Sequence, residues 1–325
     1  MSKGKVVITG AAGLLGSHLI QPLLLRGHSV VGLDNLRLGN KRNIEEFLSD
    51  SKFAFEQKDI LSKEDMLKVC AGAECIIHLA AEKIPRYSSS LNTLEVNGKG
   101  TEILLEVARE NGARFIFAST DEVYGKNQDL PLLEESMLVY GLSHTNRWSL
   151  AVSKMFGEHL CFAYHEMYNL PITIVRYSGG YGPTYTASWA NSPVNIFIEA
   201  TLRGESLPIH GDGTQTRSLT YIDDLVDGTM KIFESSYVDG EILNLGSDNR
   251  ISMVNLAYLV WREVGRDGKP NLQFIPYTDF SNLYEDVHHR AVNCSKAYYL
   301  LGYHPKIGLE EGVHRLVQWY KGEIK

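Results

Sequence analysis

The chain has 325 residues, with 39 Asp and Glu against 32 Lys and Arg for a net charge of −7, and 44% of it is hydrophobic. That length buries one large core or two modest ones, and the composition is that of an ordinary globular protein. The acidic balance and the lack of any run of basic residues exclude the electrostatic footprint of a nucleic-acid binder, so no nucleic-acid partner is expected.

From the N-terminus, MSKGK leads directly into the apolar strand VVITG, without the apolar region of a secretory signal. No stretch approaches the roughly 20 apolar residues of a membrane span. The four cysteines, Cys70, Cys75, Cys161 and Cys294, form neither a C-x-x-C pair nor a disulfide framework. A cytoplasmic protein with reduced thiols and no membrane contact is expected. Along the chain, short apolar runs alternate with longer segments of helical periodicity: KVVIT, GLLGSHLIQPLLLRG, SVVGLD, CIIHLA, a helix around 100–111, and RFIFAST. Such alternation predicts an α/β fold, a doubly wound parallel sheet covered by helices on both faces. Pro22 should bend the first helix, because its ring removes an N–H. The second half is less regular, and its loops SGGYGPTYTASWANSP, HGDGTQTRS and PYTDFSN suggest a smaller region folded over the strand ends.

Directly after the first strand comes TGAAGLLGSH, Thr9 to His18, with Gly10, Gly13 and Gly16 spaced G-x-x-G-x-x-G. Each glycine has a task in binding a dinucleotide: a tight turn, close approach of backbone to a pyrophosphate, and close contact of helix and sheet. Asp34 ends the next strand, where a carboxylate accepts hydrogen bonds from an adenosine ribose and repels a 2′-phosphate. NAD is therefore preferred to NADP, with Arg37 close enough to weigh against that choice. Asp59, after the third strand, either contacts adenine or serves as a turn aspartate.

At this point the sequence resembles the extended short-chain dehydrogenase/reductases that modify nucleotide sugars, the epimerase, dehydratase and decarboxylase group. The resemblance rests on ordered segments along nearly the whole chain: TGAAGLLG, LDNL, KDI, HLAA, NGKGT, STDEVYG, AVSK, YGP, HGDGTQTRS and YIDD. It implies a Rossmann domain binding NAD over 1–176 and 212–246, a nucleotide-sugar domain over 177–211 and 247–325, and a homodimer. The cofactor contacts it implies are Gly10, Gly13, Leu14, Leu15, Gly16, Asp34, Asn35, Asp59, Ile60, Leu79, Ala80, Ala81, Lys154 and Tyr177. Thr120 takes the place of the hydroxyl residue that bonds the reacting sugar oxygen. Asp121 and Glu122 resemble the acid/base pair of the 4,6-dehydratases, and Glu122 is shared with UDP-glucuronate decarboxylases. Arg217 and Arg290 match arginines that grip the substrate diphosphate, a task suited to a guanidinium fork. Asn195 is expected either to contact substrate or to cap a helix. The implied substrate is a nucleotide diphospho-sugar, modified through a keto-sugar intermediate by an epimerase or dehydratase type of reaction. A UDP-glucuronate-type decarboxylase is the alternative, since RWSLAVSK resembles that branch.

One position breaks the pattern. The family's base is the tyrosine of Y-x-x-x-K, whose phenol is acidified by the lysine's charge. Here Lys154 is kept and the tyrosine position is Leu150, which carries no proton. Three explanations remain open: another base (Asp121, Glu122 or Tyr140), a redox-silent relative that binds NAD and sugar nucleotide without turnover, or a change particular to this sequence. Gly179 and Ser218 also depart from residues usual in the family. His288 and His289 are adjacent, so in a strand they point to opposite faces, and no metal site is expected. His78 reads as structural. In the helix over 149–168, Val152, Met155, Phe156, His159, Leu160, Ala163 and Met167 form an apolar stripe, and Leu150, Cys161, Phe162 and Tyr164 extend it. That excess predicts burial on two sides, as in helix pairing between subunits.

Overall fold

The computed structural model describes residues 3–83, 89–186, 191–248, 250–279 and 285–323. In chain order the first half comprises β1 (Lys3–Thr9), α1 (Leu14–Leu25), β2 (His28–Leu33), β3 (Phe53–Glu56), α2 (Lys63–Cys70), β4 (Ala73–His78), α3 (Ser90–Leu94), α4 (Gly100–Asn111), β5 (Arg114–Thr120), α5 (Trp148–Tyr168) and β6 (Ile172–Tyr177). Then come β7 (Gly180–Tyr181), α6 (Pro193–Arg203), β8 (Leu207–His210), β9 (Thr216–Ser218), β10 (Thr220–Tyr221), α7 (Ile222–Phe233) and β11 (Glu241–Leu245). The last elements are β12 (Arg250–Ser252), α8 (Met253–Val264), β13 (Leu272–Ile275), α9 (Ser295–Leu301) and α10 (Leu309–Glu323).

Seven strands form one parallel sheet in the order β11-β6-β5-β4-β1-β2-β3. Alternate side chains of a strand face opposite ways, and the packing follows that rule. Val6 and Ile8 of β1 join the cluster containing Leu19, Ile20 and Leu23 of α1, whereas Val7 joins the opposite cluster with Met66 of α2 and Leu104 of α4. A third cluster joins Phe197 of α6, Val260 of α8 and Val317 of α10 with Tyr181 and Tyr221, and so forms the core of the region past the strand ends.

Helix α1 runs through Pro22 to Leu25. The proline lies in the last turn, where the missing N–H removes a single bond, and the helix closes with Arg26 N–H on the Pro22 carbonyl at 3.3 Å and Gly27 N–H on that of Leu24 at 2.9 Å. Helix α5 lies close to the sheet because Gly157 leaves room for Phe117, toward whose ring a β-carbon would sit at 2.5 Å. A buried ion pair holds it there. Arg176 of β6 donates from Nε and Nη2 to Glu158 at 2.9 and 2.7 Å, and Ser119 Oγ donates to the same carboxylate at 2.5 Å. The face of α5 carrying Leu150, Lys154, Glu158 and Cys161 is buried, while Phe156, His159, Ala163 and Met167 of the expected stripe are exposed.

Candidate active site

A cleft of about 860 Å³ opens at the carboxyl ends of the parallel strands, where open α/β sheets bind ligands. At one end is the turn between β1 and α1. Gly10 has φ +73° and lies so close to the loop after β4 that a β-carbon would sit 2.8 Å from Ala80 N. A β-carbon on Gly16 would meet Gly10 O at 2.2 Å, so helix and turn touch only because both residues are glycine. No side chain caps α1 at Gly13, which leaves its first-turn N–H groups for an anion. These features fit a dinucleotide pyrophosphate.

The residues expected at this end lie on the wall. Leu14, Leu15, Asn35, Ile60, Leu79, Ala80, Ala81 and Tyr177 all line the cleft with the three glycines, Asp34 and Asp59. Asp34 is pinned by Ala12 N–H at 3.0 Å and Leu36 N–H at 2.8 Å; burial raises its carboxyl, and these donors oppose the shift. Asp59 accepts from Asn35 Nδ2 at 3.0 Å and Leu61 N–H at 2.9 Å. Tyr177 shares a 2.8 Å hydrogen bond with Thr229. His78 bridges Thr9 and Thr101 at 2.8 and 3.1 Å, and burial lowers its basicity well below the usual value. It is a structural link between β4, β1 and α4.

Between the two ends, Thr120 lines the cleft with Asp121 and Glu122. The acidic pair is not a free pair of carboxylates. Arg290 Nη1 lies 3.0 Å from Asp121 and 3.1 Å from Glu122, Ser178 Oγ donates to Asp121 at 2.8 Å, and Arg147 also pairs with Glu122. Burial alone would raise the Glu122 carboxyl, but the charges of Arg147 and Arg290 reverse this and hold it well below the carboxylate range. Farther along, Arg217 Nη2 donates to both carboxylate oxygens of Asp286 at 2.9 and 3.0 Å, and Tyr277 OH donates to the same carboxylate at 2.9 Å. Arg147, Arg217 and Arg290 thus face Asp121, Glu122 and Asp286 in one network. Arg290 Nε and Ser218 Oγ, both buried on the cleft wall, have no hydrogen-bond partner among the described residues, and buried polar atoms of this kind are normally satisfied by a ligand or water.

Four of the residues considered from the sequence stand elsewhere. Neither Leu150 nor Lys154 lines the cleft; Lys154 Nζ donates to Ala118 O at 2.7 Å, and burial lowers its pKa to about 8. Asn195, expected either at the substrate or as a helix cap, is fully buried inside α6, which Ser192 caps: its Nδ2 donates to Gly182 O at 3.0 Å and Tyr320 OH at 3.1 Å, and Ser192 Oγ donates to its Oδ1 at 2.6 Å. Its neighbour Ile196 takes the place on the wall. Tyr140, considered as a replacement base, donates to Val123 O at 2.8 Å, and burial pushes its phenol upward. Held in its charged form by Arg147 and Arg290, Glu122 is shifted the wrong way for a base. Sequence reasoning used Arg147, which begins the stretch RWSLAVSK, only as a sign of the decarboxylase branch and gave it no place at the site, and it passed over Asp286, whose only sign was its place in EDVHHR. No group of three or more potential metal ligands occurs among the described residues.

With this geometry in view, residues 6–246 match the sequence model of the NAD dependent epimerase/dehydratase family. A UDP-N-acetyl-alpha-D-glucosaminuronate decarboxylase of Bacillus cytotoxicus is 33% identical over 98% of both chains. UDP-glucuronic acid decarboxylase 2 of Arabidopsis thaliana is 32% identical over 98% of this chain and 69% of its own. Among solved structures, a UDP-glucuronic acid 4-epimerase from Bacillus cereus in complex with UDP-glucuronic acid and NAD superposes with a TM-score of 0.86 at 29% identity, covering 98% of this chain and 99% of that one. A dTDP-glucose 4,6-dehydratase from Streptomyces venezuelae with NAD bound gives 0.88 at 27% identity, over 98% and 97%.

Proposed function

Because this chain belongs to the NAD-dependent epimerase/dehydratase family, we propose that it modifies a nucleotide diphospho-sugar in the single cleft that joins the glycine turn to Arg217 and Arg290. That continuity carries the reading: one cavity of about 860 Å³ is lined by the glycine turn at the uncapped start of α1, by Thr120, and by Arg217 and Arg290. NAD supplies a hydride acceptor and donor for the sugar. The first turn of α1 holds its pyrophosphate, and Asp34 accepts from the adenosine ribose. Lys154 Nζ donates to Ala118 O, a residue of the cleft wall, and so fixes the end of β5 from behind. Thr120 hydrogen-bonds the reacting sugar oxygen. Arg217 and Arg290 turn from their carboxylates to the diphosphate, which offers each a doubly bonded geometry.

A decarboxylase reading is favoured by Arg147. It places a third guanidinium on the wall beside Glu122, so the cleft offers three cations to two phosphates and a sugar carboxylate. Oxidation next to a uronate carbon makes the carboxylate a leaving group as carbon dioxide, a step that needs no proton taken from carbon.

Purified protein incubated with UDP-glucuronate, UDP-glucose, dTDP-glucose and GDP-sugars, followed through the absorbance of bound NADH and the release of carbon dioxide, tests both readings. Failure of every sugar nucleotide to bind would refute the site; binding without any hydride transfer would make the protein a sugar-nucleotide-binding relative. Leu150→Tyr separates the explanations of the missing phenol. It raises turnover by about 10²–10⁴-fold where the lost base limits hydride transfer, and leaves turnover unchanged where another group acts.

The same reading includes a homodimer in the cytoplasm, with residues 1–176 and 212–246 as the cofactor unit and 177–211 and 247–325 as the sugar unit. On the outer face of α5, Phe156 is 49% and Met167 70% exposed, beside Leu91 at 74% and Leu94 at 43%. An apolar stripe of this kind calls for a partner, and a second copy of α4 and α5 supplies one. Sedimentation showing a monomer at micromolar concentration would remove the dimer. None of the described helices is long and apolar enough to cross a membrane.

A further inference from the structure

The cofactor end of the cleft contains an ion pair that the binding scheme above does not use. Arg37, three residues past Asp34 in the loop after β2, lines the cleft and pairs with Glu82 in the loop after β4. These two loops flank the end of β1, because β2 and β4 are its neighbours in the sheet. The pair therefore spans the crevice mouth beside the glycine turn. Glu82 is 2% exposed. Its Oε2 accepts from Arg37 and from Asn92 Nδ2 at 3.2 Å, its Oε1 has no partner among the described residues, and its backbone is fixed by reciprocal bonds with the Asn97 side chain at 2.8 and 3.0 Å. A buried carboxylate holds its cation strongly, since release leaves an uncompensated charge. Arg37 is half exposed and rooted at the ribose-binding aspartate. Left alone, it is placed to meet a phosphate on the adenosine 2′-hydroxyl.

We propose that Glu82 is a specificity-determining residue for the cofactor: by engaging the Arg37 guanidinium it denies the cleft a cation for a 2′-phosphate, and so excludes NADP together with Asp34. The two residues act differently. Asp34 accepts from the ribose hydroxyls and repels a phosphate directly, whereas Glu82 acts through Arg37 and touches no part of the nucleotide in this scheme. The proposal rests on NAD occupying this cleft, and NAD affinity measured in the same experiment reports on that separately.

The test is a double-mutant cycle read by titrating NAD and NADP onto the purified full chain. Glu82→Gln keeps the shape and releases Arg37, and the ratio of NADP to NAD affinity rises about tenfold, the scale of one charge-assisted bond to phosphate. Arg37→Ala in the Glu82→Gln background returns the ratio to that of the parent protein, and the gain in the single variant shrinks as salt is added. A folded Glu82→Gln variant with an unchanged ratio overturns the proposal, as does a gain that persists without Arg37, which would assign it to another cation such as Lys58 or Lys83. If Glu82→Gln does not fold, Glu82→Asp loosens the same pair while keeping its charge. A rise in the ratio then supports the proposal, and a constant ratio overturns it. Loss of binding of both nucleotides in the parent protein is the separate failure of the cofactor reading.

Discussion

At the glycine-turn end of the cleft, the groups offered to a ligand are backbone N–H groups and a carboxylate pinned by two more of them. At the Arg217 end they are long side chains already paired with carboxylates of the same chain. The first end is ready before a ligand arrives, because backbone geometry cannot relax into a competing contact. The second must exchange internal partners for external ones, so its affinity is a difference between two sets of ion pairs. Pre-organisation and self-satisfaction thus divide one cavity.

Removing one partner from the paired end is expected to have the largest effect. Arg290→Met leaves Asp121 and Glu122 short of a cation and destabilises the protein by roughly 3–5 kcal/mol at pH 7, measured by urea unfolding. The pH dependence has a definite sign. Glu122 and Asp286 are held below their ordinary values of 4.5 and 3.8, so their contribution is present above those values and is lost as pH falls through the lower folded ones. Acid sensitivity is therefore reduced in the variant. At the ready-made end, Gly16→Ala drives a β-carbon into Gly10 O, and we expect about 2–4 kcal/mol of destabilisation with loss of NAD binding, read by calorimetry. A folded variant that binds NAD normally would break the account of that turn.

Lys154 tests the ground between the ends. Its pKa is lowered by burial to about 8 from 10.5, so between those values the unfolded chain holds more protons and stability rises with pH. Lys154→Met removes that rise and stabilises the ligand-free protein by on the order of 2–3 kcal/mol at pH 7, while weakening NAD binding. The smallest effect concerns Asp286. Asp286→Asn removes the charge that competes for Arg217, and UDP binding tightens by about tenfold in a titration. Weaker binding would instead make Asp286 a contact to the nucleotide.

The glycine spacing and Asp34 were legible as a candidate cofactor end because each acts locally, within one strand-turn-helix unit. The apolar stripe of α5 was also legible as a period along the helix, but which face would be buried was not. Leu150, Lys154 and Glu158 share the buried face, held by the Arg176 pair, and the stripe with Phe156 and Met167 is left outside. Asn195 shows the opposite difficulty. Its position in SPVNIFI suited a substrate contact, but the turn of α6 that brings Pro193 and Ile196 to the cleft points it at Tyr320 from α10.

From residue order alone came the doubly wound sheet and the glycine turn before α1, which depend on spacing along single elements, where strand and helix periods fix direction. Thr120 and position 150 drew notice only through the resemblance to the family. Tertiary structure decided that Glu122 is held by Arg147 and Arg290, that Arg217 faces Asp286, and that Arg37 reaches Glu82. Each pair joins residues dozens to more than a hundred positions apart. Their charges acquire meaning only when folding brings them within a few ångströms and removes the water that would otherwise screen them.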